Sequence, residues 1–394
     1  MSTPKIIATI LLGTFLSIFL VVFSFLLTFK MTVLNANFVT SRLNALPFSE
    51  LVEEAESGKI REENPELADF IEDIIIENEV ELKERASTAI NTIYDYLKGR
   101  SQSLDLEQTL RDTVLDSEFA ISLTEEAELI PLVKKLVEDI IPEEGLPQDF
   151  SIEPYLDDIA LALEPWLKNQ MDDIIPPLYE YILGHGQSTD LIISLDFPED
   201  TFRESLEKAF LESPPPEMAG LSQAELKQEF DEYYSQLEAK IPSGIEIDLS
   251  ELETSDQMSE SLAETEEALA EARRHIGHFN LAFGLLIFFI LLLIAGIILV
   301  HREVKFASRI LGITFLVYSI FGLIAVFISR GIASSQISQH ADIPASLQTW
   351  LIQLINSSLT PLLILTIILL IIGAALLSIS FIYPRHQTAT ETPL

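Results

Sequence analysis

The sequence predicts an all-α protein in which four transmembrane helices carry a large extracytoplasmic helical domain built from two tandem helical repeats. Three observations support this fold class. The 394-residue chain contains four long apolar runs without a charged residue, a 40-residue stretch that occurs twice, and one region that holds almost all of its acidic residues.

The first apolar run covers residues 6–29 and is flanked by Lys5 and Lys30. A helix of about 20 apolar residues crosses a hydrocarbon core roughly 30 Å thick. A cleaved signal peptide usually has an apolar region of only about 7–15 residues, so this run predicts a retained signal anchor. The same length argument predicts further spans at 279–300, 310–329 and 359–382. Small residues within the spans, such as Gly373, suit close packing between helices.

The repeated stretch comprises residues 67–106 and 152–191, which align without a gap at a shift of 85 positions. Both copies contain the pattern Y-x-Y-x-x-G-x-x-Q-S-x-D-L, and its glycine, Gly99 in the first copy, is expected to end a helix. Self-similarity at a fixed period is typical of stacked modules. We therefore predict repeat one at about 63–150 and repeat two at about 151–254, together forming an acidic extracytoplasmic all-α domain over 30–254.

The second copy differs from the first in two respects. It contains Pro165, Pro176 and Pro177, which predict a kink or a break because proline removes a backbone donor and clashes with the preceding turn. It also carries an 11-residue insertion around LIISLDFPED, the only stretch with strand character.

Residues 255–278 are predicted to form a helical stalk that leads into the second span. Its apolar positions alternate in steps of four and three, as in a coiled coil, and could pair with a second copy of the chain. These positions are Met258, Leu262, Thr265, Leu269, Ala272 and Ile276. A second amphipathic helix is expected within the loop 330–358, where Trp350 would lie at the headgroup level.

Charge is strongly segregated along the chain, whose net charge is −37 although its mean hydropathy is +0.31. Residues 31–278 contain 17 Lys and Arg against 58 Asp and Glu, a net −41. The remaining residues contain 7 Lys and Arg against 3 Asp and Glu, a net charge of +4. Phosphate binding needs a basic face, so nucleic acid is not an expected partner.

The bias of Lys and Arg toward the cytoplasm predicts the orientation. It places the N-terminus 1–5, the loop 301–309 and the tail 383–394 in the cytoplasm, and residues 30–278 and 330–358 outside. The chain contains no cysteine, which excludes disulfides and thiol chemistry. A large exported region without disulfides favours a prokaryotic surface.

One candidate metal site is present in the stalk. Glu267, Glu271, His275 and His278 follow one another at i, i+4, i+8 and i+11, so they share one face of a helix. Two imidazoles and a carboxylate could bind a divalent cation. The alternative is a solvated polar face opposite the apolar seam.

The paired tyrosines of the two copies are candidate ligand-binding residues. Tyr94 and Tyr96 in the first copy correspond to Tyr179 and Tyr181 in the second, and clefts between modules are common binding sites. The alternative is that these rings pack each helix end onto the following turn.

No metalloprotease, nucleophile-elbow, P-loop or dinucleotide-binding motif occurs, so neither an enzyme nor a cofactor is predicted. The expected function is presentation of the acidic domain at the cell surface for protein–protein interaction or self-assembly, with the lipid bilayer and a protein partner or a second copy as partners. The alternatives are a sensor, or an accessory subunit of a transporter or an envelope enzyme, each acting with a separate effector.

Overall fold

The computed structural model describes residues 3–48, 72–140, 152–183, 192–218, 220–238, 241, 244–248, 255–301, 303–339 and 343–382. The chain divides into two compact units. The membrane unit comprises Met1–Pro47, Ile90–Gln102 and Leu269–Leu394, and the acidic unit comprises Phe48–Ala89 and Ser103–Ala268.

The helices of the first half of the chain are α1 (Thr3–Met31), α2 (Ala36–Asn44), α3 (Glu79–Leu97), α4 (Leu106–Arg111), α5 (Ser117–Glu126), α6 (Ile130–Ile140) and α7 (Leu156–Ile182). Those of the second half are α8 (Glu199–Glu212), α9 (Gln223–Glu238), α10 (Ser255–His301), α11 (Val304–Ile337), α12 (Ala345–Ser358) and α13 (Thr360–Ile382). Both α3 and α10 contribute residues to each unit.

Among the described residues, four helices are long and apolar enough to cross a membrane, as predicted, and their apolar runs lie in the membrane unit. They are α1, α10, α11 and α13, the last of which follows α12 almost directly. Many large apolar side chains remain exposed on their surfaces, among them Phe25, Phe321 and Phe381 at 71%, 69% and 78%. Apolar exposure on this scale would be unfavourable in water, and it suits contact with lipid.

The core of the membrane unit lies where these four helices meet. Its buried side chains are Leu16 and Leu20 of α1, Leu286, Ile290 and Ile297 of α10, Leu311, Phe315 and Tyr318 of α11, and Leu369 of α13. The closest helix contact is between α11 and α13, where Gly312 faces Gly373. A β-carbon built on either glycine would lie about 3.0 Å from backbone atoms of the other helix.

The predicted stalk and the second span form one uninterrupted helix, α10, of 47 residues. The connection between α10 and α11 is correspondingly short, because α10 ends at His301 and α11 begins at Val304. A helix, α12, is present in the loop 330–358, where an amphipathic helix was expected.

The acidic unit is organised around α7, which packs against α5, α6 and α8, while α9 packs on α8. Three fully buried phenylalanines, Phe202, Phe210 and Phe230, fill the space between α7, α8 and α9. Short polar side chains begin the smaller helices: Asp105 accepts a hydrogen bond from the Gln108 backbone N–H at 2.9 Å, and Asp116 accepts one from the Glu118 N–H at 3.0 Å.

The all-α prediction is confirmed for the described residues apart from one antiparallel ribbon. Strand β1 (Ile192–Asp196) pairs with β2 (Gly244–Asp248), with Ile192 opposite Asp248 and Asp196 opposite Gly244. The first strand lies in the insertion whose sequence has strand character. The second lies just before the stalk and was not predicted.

The proline-rich second copy is not broken. Helix α7 continues through Pro165, Pro176 and Pro177, although each proline lacks the N–H that would bond to the preceding turn. The burial of Ile159, Leu163 and Leu167 against the core supports the helix on both sides of Pro165. In the first copy, by contrast, a turn at residue 78 separates the helical residues 72–77 from α3. The tandem repeat and its extracytoplasmic position remain predictions.

Candidate functional site

The membrane unit contains an apolar groove of about 700 Å³, here called the Tyr94 groove. This volume lies within the roughly 300–1,000 Å³ of most small-molecule sites. Three segments line it: the end of α1 with the following turn, the end of α3, and one face of α10. Its lining residues are Phe29, Val33, Leu34, Tyr94, Leu97, Ala272, His275, Ile276, His278, Phe279 and Ala282.

The groove lies where both long helices change from polar to apolar sequence. Lys30 ends the apolar run of α1, and its ammonium group lies 4.6 Å from the centre of the Phe283 ring. Phe279 begins the apolar run of α10, and its ring packs against Phe29 with centroids 5.6 Å apart. Aromatic and lysine side chains at such a boundary are typical of the membrane–water interface.

The end of α3 is held in place by local backbone geometry. Gly99 adopts a φ of 76°, a left-handed conformation that favours glycine, and terminates the helix. The Gly99 N–H donates to the Tyr96 carbonyl at 2.9 Å, and the Arg100 N–H donates to the Asp95 carbonyl at 2.8 Å. The expected role of this glycine as a helix terminator is thus observed in the first copy.

Tyr94 forms one wall of the groove with its ring. Its hydroxyl donates a hydrogen bond of 2.5 Å to the Val33 carbonyl, which lies in the turn after α1. Burial raises the pKa of this tyrosine above its ordinary value, so the hydroxyl remains a donor at neutral pH. The bond joins the end of α3 to the turn after α1, and the ammonium group of Lys98 lies 5.5 Å from the centre of the Tyr94 ring.

Tyr96 has a different environment. The guanidinium group of Arg273 lies 4.5 Å from the centre of its ring, and Nη1 of the same arginine donates to the Gln102 carbonyl at 3.0 Å. Arg273 therefore joins α10 to both the end of α3 and the turn that follows it. This contact corresponds to the packing role that was the alternative for the paired tyrosines.

Tyr179 lies in the acidic unit, and the side chain of Tyr181 is outside the described residues. Burial, with a smaller contribution from the Asp116 charge, raises the pKa of Tyr179. The predicted groove between the two copies, lined by all four tyrosines, therefore remains a prediction.

The metal-site candidates lie along α10. Oε1 of Glu271 is 3.4 Å from Nε2 of His275, and the rings of His275 and His278 are 6.5 Å apart. Among the described residues, no three His, Cys, Asp or Glu side chains are close enough to hold a metal ion. Helical rise explains this result, since Glu267 and His278 are separated by about 16 Å along the axis. His275 and His278 instead border the Tyr94 groove as its polar residues.

Two arginines that were not predicted as site residues lie at the end of the membrane unit where α11 meets α12. Arg42 of α2 donates from Nη1 to the Ser357 hydroxyl at 3.0 Å, and Arg330 donates from Nη2 to the Asn356 carbonyl at 3.1 Å. One signal was available, because Arg330 is the first charged residue after the apolar run 310–329. The pairing with Arg42 depends on tertiary structure.

The arrangement in the Tyr94 groove can bind an apolar chain, with imidazoles at its border to meet a polar end group. No protein-family model matches this chain, and neither a curated protein nor a solved structure is significantly similar to it.

Proposed function

We propose that this chain is a non-enzymatic multi-pass protein of the cytoplasmic membrane that presents its acidic unit outside the cell for protein–protein interaction or self-assembly. The observation that carries this proposal is the distribution of charge between the two units. The membrane unit contains 12 Lys and Arg against 5 Asp and Glu, a net +7. The acidic unit contains 12 against 56, a net −44.

Part of this charge lies on the described helices of the acidic unit, such as α8 and α9. Some carboxylates have cationic partners, such as Asp231, which accepts from Arg203 at 2.9 Å, and Glu180, which pairs with Arg111. With 56 acidic and 12 basic residues, at least 44 carboxylates cannot have a basic partner of their own within the unit. Such a surface repels anionic lipid and nucleic acid and attracts a protein with a basic face.

The proposed orientation follows from the basic residues near the ends of the spans. Lys5, the segment from Arg302 to Arg309, and Arg385 lie on one side if both termini are cytoplasmic. The acidic unit is then outside, together with α12. Arg330 and Lys30 lie on the outer side in this arrangement, so most of these basic residues are cytoplasmic, but not all of them.

The test is purification of the affinity-tagged full-length protein in mild detergent at low and at high salt, with mass spectrometry of the proteins that remain bound. We expect a stoichiometric partner with a basic surface, or a discrete homo-oligomer, that dissociates as salt screens the charges. An unrelated four-span protein purified in parallel is the control for retention by the detergent micelle. Recovery as a salt-independent monomer without a partner contradicts the proposal.

A second candidate function is favoured by α10. This helix continues without interruption from acidic-unit residues to the end of the second span at His301. A continuous helix could transmit a binding event to a separate effector, as in a sensor, or couple the chain to a transporter or an envelope enzyme as an accessory subunit. Recovery of a partner with a catalytic or transport domain favours this candidate over surface presentation.

A further inference from the structure

We propose that Arg42 and Arg330 form a binding site for the phosphate group of an anionic phospholipid at the end of the membrane unit where α2, α11 and α12 meet. The site requires only that the four apolar helices lie in a bilayer. It does not depend on which face of the membrane is cytoplasmic.

The position of the site is at the level of lipid headgroups. Arg330 directly follows the uncharged run 310–329 of α11, which is long enough to cross the hydrocarbon core. Trp350 of α12 donates from its indole nitrogen to the Arg42 carbonyl at 2.9 Å. An amphipathic helix with a hydrogen-bonded tryptophan is typical of the interface between headgroups and acyl chains.

The two guanidinium groups converge on consecutive residues of α12. Nη1 of Arg42 bonds to Ser357 and Nη2 of Arg330 bonds to Asn356, so both groups lie at the C-terminal turn of that helix. Each guanidinium group has five N–H donors, so its hydrogen bond to α12 leaves most of its capacity unused.

Neither arginine has a carboxylate partner among the described residues. Each also has a buried Nε without a hydrogen-bond partner in the described part of the chain. Both side chains are only partly exposed, so their charges are incompletely solvated. A partly buried charge without a counter-ion is unfavourable, and an external anion would offset that cost.

A phosphate group is the anion whose chemistry suits the site. Guanidinium groups bind phosphate through paired hydrogen bonds. Two of them side by side favour a headgroup with a net negative charge over a zwitterionic headgroup, whose own cation offsets the charge of its phosphate. The acyl chains of a bound lipid would follow the exposed apolar surface of α11, which includes Phe327 at 65% exposure. The binding energy therefore has an electrostatic and an apolar component.

The experiment is native mass spectrometry of the full-length protein in a neutral detergent, with added phosphatidylglycerol or phosphatidylcholine of identical acyl chains. We expect the natural chain to retain phosphatidylglycerol preferentially. The double substitution Arg42→Gln/Arg330→Gln should weaken its retention by about tenfold or more, since charge-assisted hydrogen bonds are lost. Thermal unfolding should report the same preference as a higher melting temperature with phosphatidylglycerol.

A matched control removes the same charge elsewhere in the membrane unit. Arg100 and Arg274 are both exposed, and Arg100→Gln/Arg274→Gln should leave the preference unchanged. Arg42→Lys/Arg330→Lys keeps the charge and removes the planar fork, and it should give an intermediate preference. Equal loss in the Arg100/Arg274 variant would show only a general charge effect and overturn the assignment.

Two further results would overturn the proposal without any variant. The first is an equal affinity of the natural chain for the two lipids. The second is full replacement of phosphatidylglycerol by millimolar inorganic phosphate, which would identify a soluble anion and not a lipid as the ligand. Expected instead is that inorganic phosphate displaces little lipid, because it cannot supply the contacts of the acyl chains.

Discussion

The contact between α11 and α13 leads to a prediction that uses two glycines. A β-carbon at Gly312 would lie 3.0 Å from the Gly373 carbonyl oxygen and from both N and Cγ of Leu377. A β-carbon at Gly373 would lie 3.0 Å from N and Cγ of Leu316 and 3.1 Å from the Gly312 carbonyl oxygen. Since several of these atoms belong to the backbone, the helices themselves must move to admit a methyl group.

The magnitude follows from comparison with a glycine in the same helix. Ordinary contacts between carbon atoms are about 3.5–4.0 Å, so Gly312→Ala must separate α11 from α13 by roughly 0.5–1 Å. Overpacking of this kind costs about 1–3 kcal/mol. A β-carbon at Gly331 of α11 would have no atom within 4 Å, so Gly331→Ala retains only the gain of about 0.5–1 kcal/mol from lower chain flexibility.

The assay exploits the fact that the chain has two tryptophans, one in each unit. In a Trp166→Phe background, the fluorescence of Trp350 reports unfolding of the membrane unit during titration with dodecyl sulfate. We expect Gly312→Ala and Gly373→Ala each to be less stable than Gly331→Ala by about 1–3 kcal/mol. Their effects should be less than additive, because one separation of the helices relieves both clashes. Equal stability of Gly312→Ala and Gly331→Ala would refute the close helix contact.

Three further predictions concern single side chains. Tyr94→Phe removes the hydrogen bond to Val33 and should destabilise the membrane unit by about 1 kcal/mol, measured with the same titration; an unchanged midpoint would contradict the bond. Phe202→Ala should destabilise the acidic unit by about 3–5 kcal/mol, since the Phe202 ring is fully buried. Urea unfolding followed by Trp166 fluorescence measures this loss, and a loss below about 1 kcal/mol would contradict the prediction. Burial, with a smaller contribution from Glu238, raises the pKa of Tyr234 to about 12. The contribution of this shift to stability is therefore present below about pH 10 and is lost as pH rises from about 10 through about 12. Tyr234→Phe should flatten the alkaline fall in the free energy of unfolding, and an identical fall in both proteins would contradict the shift.

Much of the membrane unit could be predicted because lipid imposes a simple requirement. A helix must satisfy its own backbone and present apolar side chains over about 20 residues, and this pattern is visible in the sequence. The small residue Gly373 was recognisable as a packing position, but Gly312 was not identified as its partner. That pairing depends on the register of two helices far apart in sequence.

The departures in the acidic unit have equally local causes. The three prolines predicted a kink or a break, yet α7 continues through them without a break, supported by the packing of Ile159, Leu163 and neighbouring side chains. Strand β2 has a short sequence of mixed character, and its backbone is ordered by pairing with β1. Propensity alone did not reveal it, because strand formation depends on the neighbouring strand.

The candidate site was predictable only in part. Tyr94, His275 and His278 were singled out from the sequence, but for two unrelated hypotheses, a tyrosine-lined groove and a metal site. The structure brings them together at one apolar groove because α3 and α10 both border the turn after α1. A sequence period cannot show which faces of two distant helices share a cavity.

The most direct test of the proposed function is the side of the membrane on which the acidic unit lies. The chain contains no cysteine, so a single cysteine can be introduced without background. Glu264→Cys in the acidic unit and Glu303→Cys after α10 replace the same residue type at two exposed positions. A membrane-impermeant maleimide should label Glu264→Cys in intact cells and Glu303→Cys only after permeabilisation. Labelling of Glu303→Cys alone in intact cells would place the acidic unit in the cytoplasm and contradict presentation at the cell surface.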